Sequence, residues 1–151
     1  MRLMVLATVL AGGVAACQAP PPPAGDAPVV EYLLADSTSG LPFSDAVRVG
    51  HLLFVSGQIG TVSGSTLIEG GVQAEARQAM DNIQAILERN GSSMHQVVKC
   101  LLMLADVRDW AAVNEVYVTY FDRLPARSAM GANGLALGAR VEIECIATVG
   151  E

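Results

Sequence analysis

Leu124-Pro125-Ala126-Arg127-Ser128, with Val141-Glu142-Ile143-Glu144-Cys145-Ile146-Ala147 further along the chain, is the stretch that decides the fold. Side chains alternate faces along a strand, so Glu142 and Glu144 share one face while Val141, Ile143, Cys145 and Ala147 share the other. The apolar side is the inner face of a buried strand. The carboxylates on the other side either look into solvent or line a cleft near a guanidinium, and Arg127, held just after a proline, lies upstream of both.

Working outward, Glu31 to Leu34 and Ala46 to Val49 read as short strands, Val49-Gly50-His51 as a turn, and Leu52 to Ile59 as a strand rich in apolar residues. Gly60 to Gly71 carries the glycine, serine and threonine of a loop. From Val72 the apolar positions Ala76, Ala79, Met80, Ile83, Ile86 and Leu87 recur every three or four residues, which predicts an amphipathic helix ending at Asn90-Gly91. A strand over Val97 to Leu104 follows. Asp106 or Asp109 can cap a second helix, with Trp110, Val113, Val116, Tyr117, Tyr120 and Phe121 as its buried stripe. Two helices between strands, with no internal repeat, predict an α+β domain with both helices on one sheet face. The other face would carry Glu142, Glu144, Ile146 and Thr148, and it needs cover.

The motifs Pro42-Phe43-Ser44, Ser56-Gly57-Gln58-Ile59, Ala76-Arg77-Gln78, Asn82, Val97-Val98-Lys99, Val113-Asn114, Pro125-Ala126-Arg127-Ser128 and Glu142-Ile143-Glu144 stand in one order. In that order and spacing the chain resembles the RidA/YjgF (reactive intermediate deaminase A) family over about residues 30 to 149. The resemblance implies a chorismate-mutase-like α+β fold, a mixed sheet with two helices on one face, and a homotrimer with clefts between subunits. It also implies cofactor-free hydrolysis of 2-imino acids, in equilibrium with enamines, to 2-oxo acids and ammonia.

That chemistry sets three tasks: gripping the substrate carboxylate, placing a water and supplying a proton. Arginine suits the first, because its planar fork meets a carboxylate at two points and stays charged. By the motif match Arg127 takes this role, and Glu144, rather than Glu142, takes water positioning and proton transfer. Ser56 and Gly57 match the pocket-lining loop, and Asn114 matches a supporting helix amide. Two positions depart from the family pattern. Phe43 replaces a common tyrosine, keeping an apolar wall without its hydroxyl, and Ala129 replaces a common cysteine, leaving a backbone N–H to offer.

The first residues are of another kind. Met1 to Ala16 has one cation, Arg2, and then an apolar run too short to span a bilayer that ends in small residues, the build of an export signal. Val14-Ala15-Ala16-Cys17 matches a bacterial lipobox, which makes Cys17 the expected lipidation site and gives a membrane anchor. Residues 17 to 28, with four successive prolines at Pro20 to Pro23, read as a semi-rigid linker, and 29 to 151 as the domain. Gln18 after the cysteine suggests the periplasmic side of the outer membrane.

Loss of residues 1 to 16 removes one of nine basic residues against fifteen acidic ones, so the formal charge moves from −6 to −7. Such a surface lacks the basic footprint of a nucleic-acid binder. His51 and His95 show no ligand-like spacing to a cysteine, so no metal is expected, and both read as structural or solvated. Cys100 and Cys145 lie on strands; an oxidising compartment would permit a bridge, but two buried thiols are expected. Two other functions fit less of the chain: a binding module in which Arg127 clamps a small carboxylate, and a holdase using apolar surfaces.

Overall fold

The computed structural model describes residues 27–34, 40–62 and 66–150. The expected leader, the expected lipidation site Cys17 and most of the proline-rich stretch lie outside the described residues. Among the described residues eight strands and two α-helices follow in chain order: β1 (Val30–Leu33), β2 (Ala46–Val49), β3 (Leu52–Ile59), β4 (Thr61–Val62), β5 (Thr66–Leu67), α1 (Val72–Arg89), β6 (Val97–Leu104), α2 (Trp110–Tyr117), β7 (Ala126–Gly131) and β8 (Val141–Thr148). Six strands form one mixed sheet in the order β1-β2-β3-β8-β6-β7, and β4 pairs with β5 in a separate small hairpin.

Every pairing in the large sheet is antiparallel except β6 with β7. Both parallel relations, β3 to β6 across β8 and β6 to β7, are made by helical crossovers, as parallel strands require. The last strand therefore enters the middle of the sheet. Its alternation explains why it can: Val141, Ile143, Cys145 and Ala147 are all buried, whereas Glu142 is half-buried and Glu144 exposed. The core closes between this face and the helices, with Ala76, Ala79, Met80, Ile83 and Leu87 of α1 and Val113, Val116 and Tyr117 of α2. The fold class read from the sequence is the one observed.

Local interactions place the helices. Gly60, directly after β3, lies so close to α1 that an added Cβ would stand 2.5 Å from the Glu75 Cα, so only glycine fits there. Asn82 reaches back from α1 and donates to the carbonyls of Ile59 and Thr61, at 3.2 and 3.0 Å, which pins the end of β3. The buried Glu75 accepts the Arg140 backbone N–H at 2.7 Å, and the Arg140 guanidinium holds Asp109 at two points. These contacts tie the approach to β8 to the N-terminal ends of both helices.

Several expectations are corrected. Cys100 and Cys145 are not separate thiols but a disulfide: they are directly opposed on β6 and β8 with Cα atoms 4.1 Å apart. Both face the core, so the register that buries them also brings them together. Trp110 does not belong to the buried stripe and is 48% exposed, because α2 begins with it, ahead of the turn that packs on the sheet. The helix ends at Tyr117, a 3-10 turn follows, and Phe121 lies beyond in extended backbone. Residues Ala126–Gly131, which hold Arg127, form an edge strand, and the loop after β3 contains the hairpin β4-β5.

Candidate active site

The predicted site residues fall into two groups. The first gathers at the end of β3, where the pairing with β8 shifts register between Val55 and Gln58. Such a bulge re-aims the local backbone. The Ser56 hydroxyl donates to the Ser44 carbonyl at 2.6 Å, and the Ser56 N–H donates to the Asp45 carbonyl at 3.0 Å. Ser56 thus fastens the segment carrying Phe43, whose ring is 51% exposed. At Gly57 an added Cβ would stand 2.0 Å from Glu142 Oε1. The carboxylate of Glu142 therefore rests on the backbone of Gly57, an approach that only glycine allows.

Glu144 projects from the same sheet face, opposite Leu101, and with Lys99, Leu101 and Ile146 lines a dent of about 20 Å³. Neither Glu142 nor Glu144 has a hydrogen-bond or ion-pair partner among the described residues. The motif match selects Glu144; the geometry brings Glu142, not Glu144, to Gly57. The signal that separates them is tertiary, since two glutamates at i and i+2 are equivalent until the position of the bulge is known.

The second group lies on β7 and α2. Arg127 pairs with Cys100 and Ala129 with Leu102, both core-facing residues, so Arg127 and Ala129 are on the helix side of the sheet. The Arg127 guanidinium carbon lies 4.8 Å from the centre of the Tyr117 ring, a cation–π shelf that orients the fork without occupying its donors. Tyr117 in turn stacks against Phe121 at 4.8 Å. One helical turn earlier stands Asn114. Its Oδ1 and the Tyr117 hydroxyl are both buried without a partner among the described residues. An unmade bond of this kind costs about 1–3 kcal/mol, which marks the place for an incoming donor. Burial pushes the Tyr117 hydroxyl up to about 12, against the pull of the Arg127 charge, so it stays protonated. Tyr117 is the member of this group that the sequence reading placed only in the core.

The two groups cannot meet within one chain. Glu142 and Gly57 lie on the open face of the sheet, Arg127 and Asn114 on the helix face, and β6 runs between β8 and β7. A cavity of about 280 Å³, lined by Met94, His95, Phe121, Asp122 and Arg123, shares only Phe121 with the two groups; there His95 Nδ1 approaches Asp122 at 3.5 Å, both exposed. No group of three or more His, Cys, Asp or Glu able to hold a metal occurs among the described residues.

A family profile described as Endoribonuclease L-PSP matches residues 36–149. The chain belongs to the RidA/YjgF family. It is 46% identical to the mouse 2-iminobutanoate/2-iminopropanoate deaminase over 111 residues, 72% of this chain and 82% of the mouse protein. Among solved structures, the yeast protein YEO7 superposes with a TM-score of 0.75 at 34% identity, covering 81% of this chain and all of the yeast chain. TdcF from E. coli, crystallised with bound serine, superposes with a TM-score of 0.69 at 31% identity, covering 79% of this chain and 94% of that one. These RidA/YjgF relatives share the α+β fold in which the two residue groups are set.

Proposed function

We propose that this chain hydrolyses small 2-imino acids to 2-oxo acids and ammonia, as a homotrimer tethered outside the cytoplasm. The observation that carries the reading is Arg127: a half-buried guanidinium on an aromatic shelf, with its donors uncommitted among the described residues. It is the fork a substrate carboxylate requires. The name of the mouse relative and the serine bound to the E. coli relative support a small amino-acid-like carboxylate as ligand.

In this reading the substrate lies with its carboxylate on Arg127 and its C=N carbon toward Glu142. The protonated imine is electrophilic. Glu142 accepts a proton from water as the oxygen attacks the carbon and gives the tetrahedral amino alcohol; the proton passes to the amine, and as the C–N bond breaks Glu142 takes the hydroxyl proton, so that the C=O of the 2-oxo acid forms and ammonia leaves, carrying that proton away as ammonium. Gly57 keeps Glu142 against the backbone, and Asn114 Oδ1 is free to accept from the substrate nitrogen or the water. Glu142 takes the proton-handling role here, and Glu144 keeps a place on the face between subunits. Because Arg127 and Glu142 occupy opposite faces of one chain, the arginine of one subunit serves the glutamate of another. The apolar residues of the open face, including Tyr32, Leu52, Phe54 and Met130, supply the contact.

The envelope location rests on the leader and on Cys17, and the disulfide suits it. Phe43 favours a second reading, a module that binds small carboxylates without turnover, because it removes a hydroxyl from the pocket wall. An amino-acid oxidase that generates 2-imino acid, with semicarbazide trapping what remains, separates the two. Acceleration over buffer supports the deaminase; none, with 2-oxo acid binding retained, leaves the binding module.

A further inference from the structure

We propose that Cys100 and Cys145 are a maturation site: the chain is oxidised during folding, after export, by thiol–disulfide exchange with a disulfide donor of the receiving compartment. The inference rests on the export part of the reading above and not on the imine chemistry.

Both cysteines are 1% exposed beneath the helices. No donor protein reaches sulfurs so placed, so the exchange precedes closure of the core. One thiolate attacks the donor disulfide to form a mixed disulfide. The second thiolate attacks that bond and makes the Cys100–Cys145 link, and the donor leaves as a dithiol carrying the two electrons and, overall, the two protons. The pairing is unambiguous if Cys17 carries its lipid, because the chain has three cysteines in all and only two thiols then remain.

The position of the link gives the oxidation a purpose. It joins β6 to β8, two adjacent interior strands, across a sequence separation of 45 residues that includes α2 and β7. Arg127 is the direct neighbour of Cys100, and Glu142 lies three residues before Cys145 on β8. The link thus ties the strand of the glutamate to the strand that supports the arginine. A chain kept in a reducing compartment would fold without that tie.

The test compares the full chain with a full-length Leu6→Arg/Leu10→Arg variant whose leader no longer supports export, both produced in a Gram-negative host. Cells are acid-quenched, free thiols are labelled with a maleimide, and the peptides holding Cys100 and Cys145 are analysed before and after reduction. The expected result is linked peptides from the exported chain and two labelled thiols from the blocked one. Labelled thiols in a chain that fractionates with the envelope overturn the maturation site and leave the export reading intact. A full chain found in the cytoplasm overturns both, and linkage to the same extent in the blocked variant overturns the dependence on export. Reducing the purified exported protein should raise its unfolding constant by about three orders of magnitude, as loss of a link across a loop of this length implies. Cys100→Val/Cys145→Ala, which keeps the core filled, should be indifferent to reductant; an unchanged unfolding constant in the reduced wild type contradicts the stabilising role.

Discussion

Arg127 and Glu142 make opposite predictions when altered. Arg127→Lys keeps the charge but loses the two-point fork, so affinity for 2-oxobutanoate should fall by about 1.5–3 kcal/mol in calorimetry. Glu142→Gln fills the same space, so binding should survive while turnover in the trapping assay drops by about two to four orders of magnitude. Glu144→Gln should leave turnover within a few fold; a collapse there would return the proton-handling role to Glu144. At Gly57, alanine would place a Cβ 2.0 Å from Glu142 Oε1. Gly57→Ala should therefore displace the carboxylate and depress turnover more than binding, and normal turnover would dissociate Glu142 from the site.

At the scale of elements, α2 and the 3-10 turn that follows it each present a tyrosine whose ionisation burial suppresses. Tyr117 is pushed up to about 12, and Tyr120, which donates to Asp81 at 2.6 Å, is raised by burial and by that carboxylate. The unfolded chain loses these protons near pH 10, before the folded one does. The stability they contribute is whole below about pH 10 and is lost as pH climbs toward the folded values. Urea unfolding across that range should show a decline, and Tyr117→Phe should flatten it, leaving the Tyr120 share. An identical slope in the variant would mean that Tyr117 does not titrate on unfolding. These elements also show what the sequence can convey. The apolar spacing of α1 and the alternation of β8 report burial directly, and both appear in the structure. Strand β7 was hidden because an edge strand paired on one side needs no apolar run, and Ala126–Gly131 has none. The choice between Glu142 and Glu144, the Cys100–Cys145 pairing and the shelf under Arg127 depend on register between distant strands, which one strand's pattern does not contain.

For the whole molecule, the apolar open face and the separated residue groups call for assembly. Light scattering on the purified protein at micromolar concentration should give a trimer, and a stable monomer would remove the shared cleft. Cys17→Ser should release the protein from membranes or stop processing of the leader, since one retained apolar segment anchors less firmly than acyl chains. Fractionation with metabolic acyl labelling checks this, and unchanged labelling in the variant would dismiss Cys17 as the attachment point.

The placement of Arg127 and Glu142 on opposite faces of one sheet has a genetic counterpart. Two defective chains, one with Arg127→Lys and one with Glu142→Gln, each lack one half of every cleft they form alone. Coexpressed, they build rings in which an intact arginine from the second variant meets an intact glutamate from the first. Going round a head-to-tail ring of three, any mixed composition contains one such junction and never more. Random mixing at equal amounts should therefore restore about a quarter of the wild-type clefts. Two impaired proteins would produce a working one, with activity at low substrate concentration that peaks at equal dosage and falls toward either extreme.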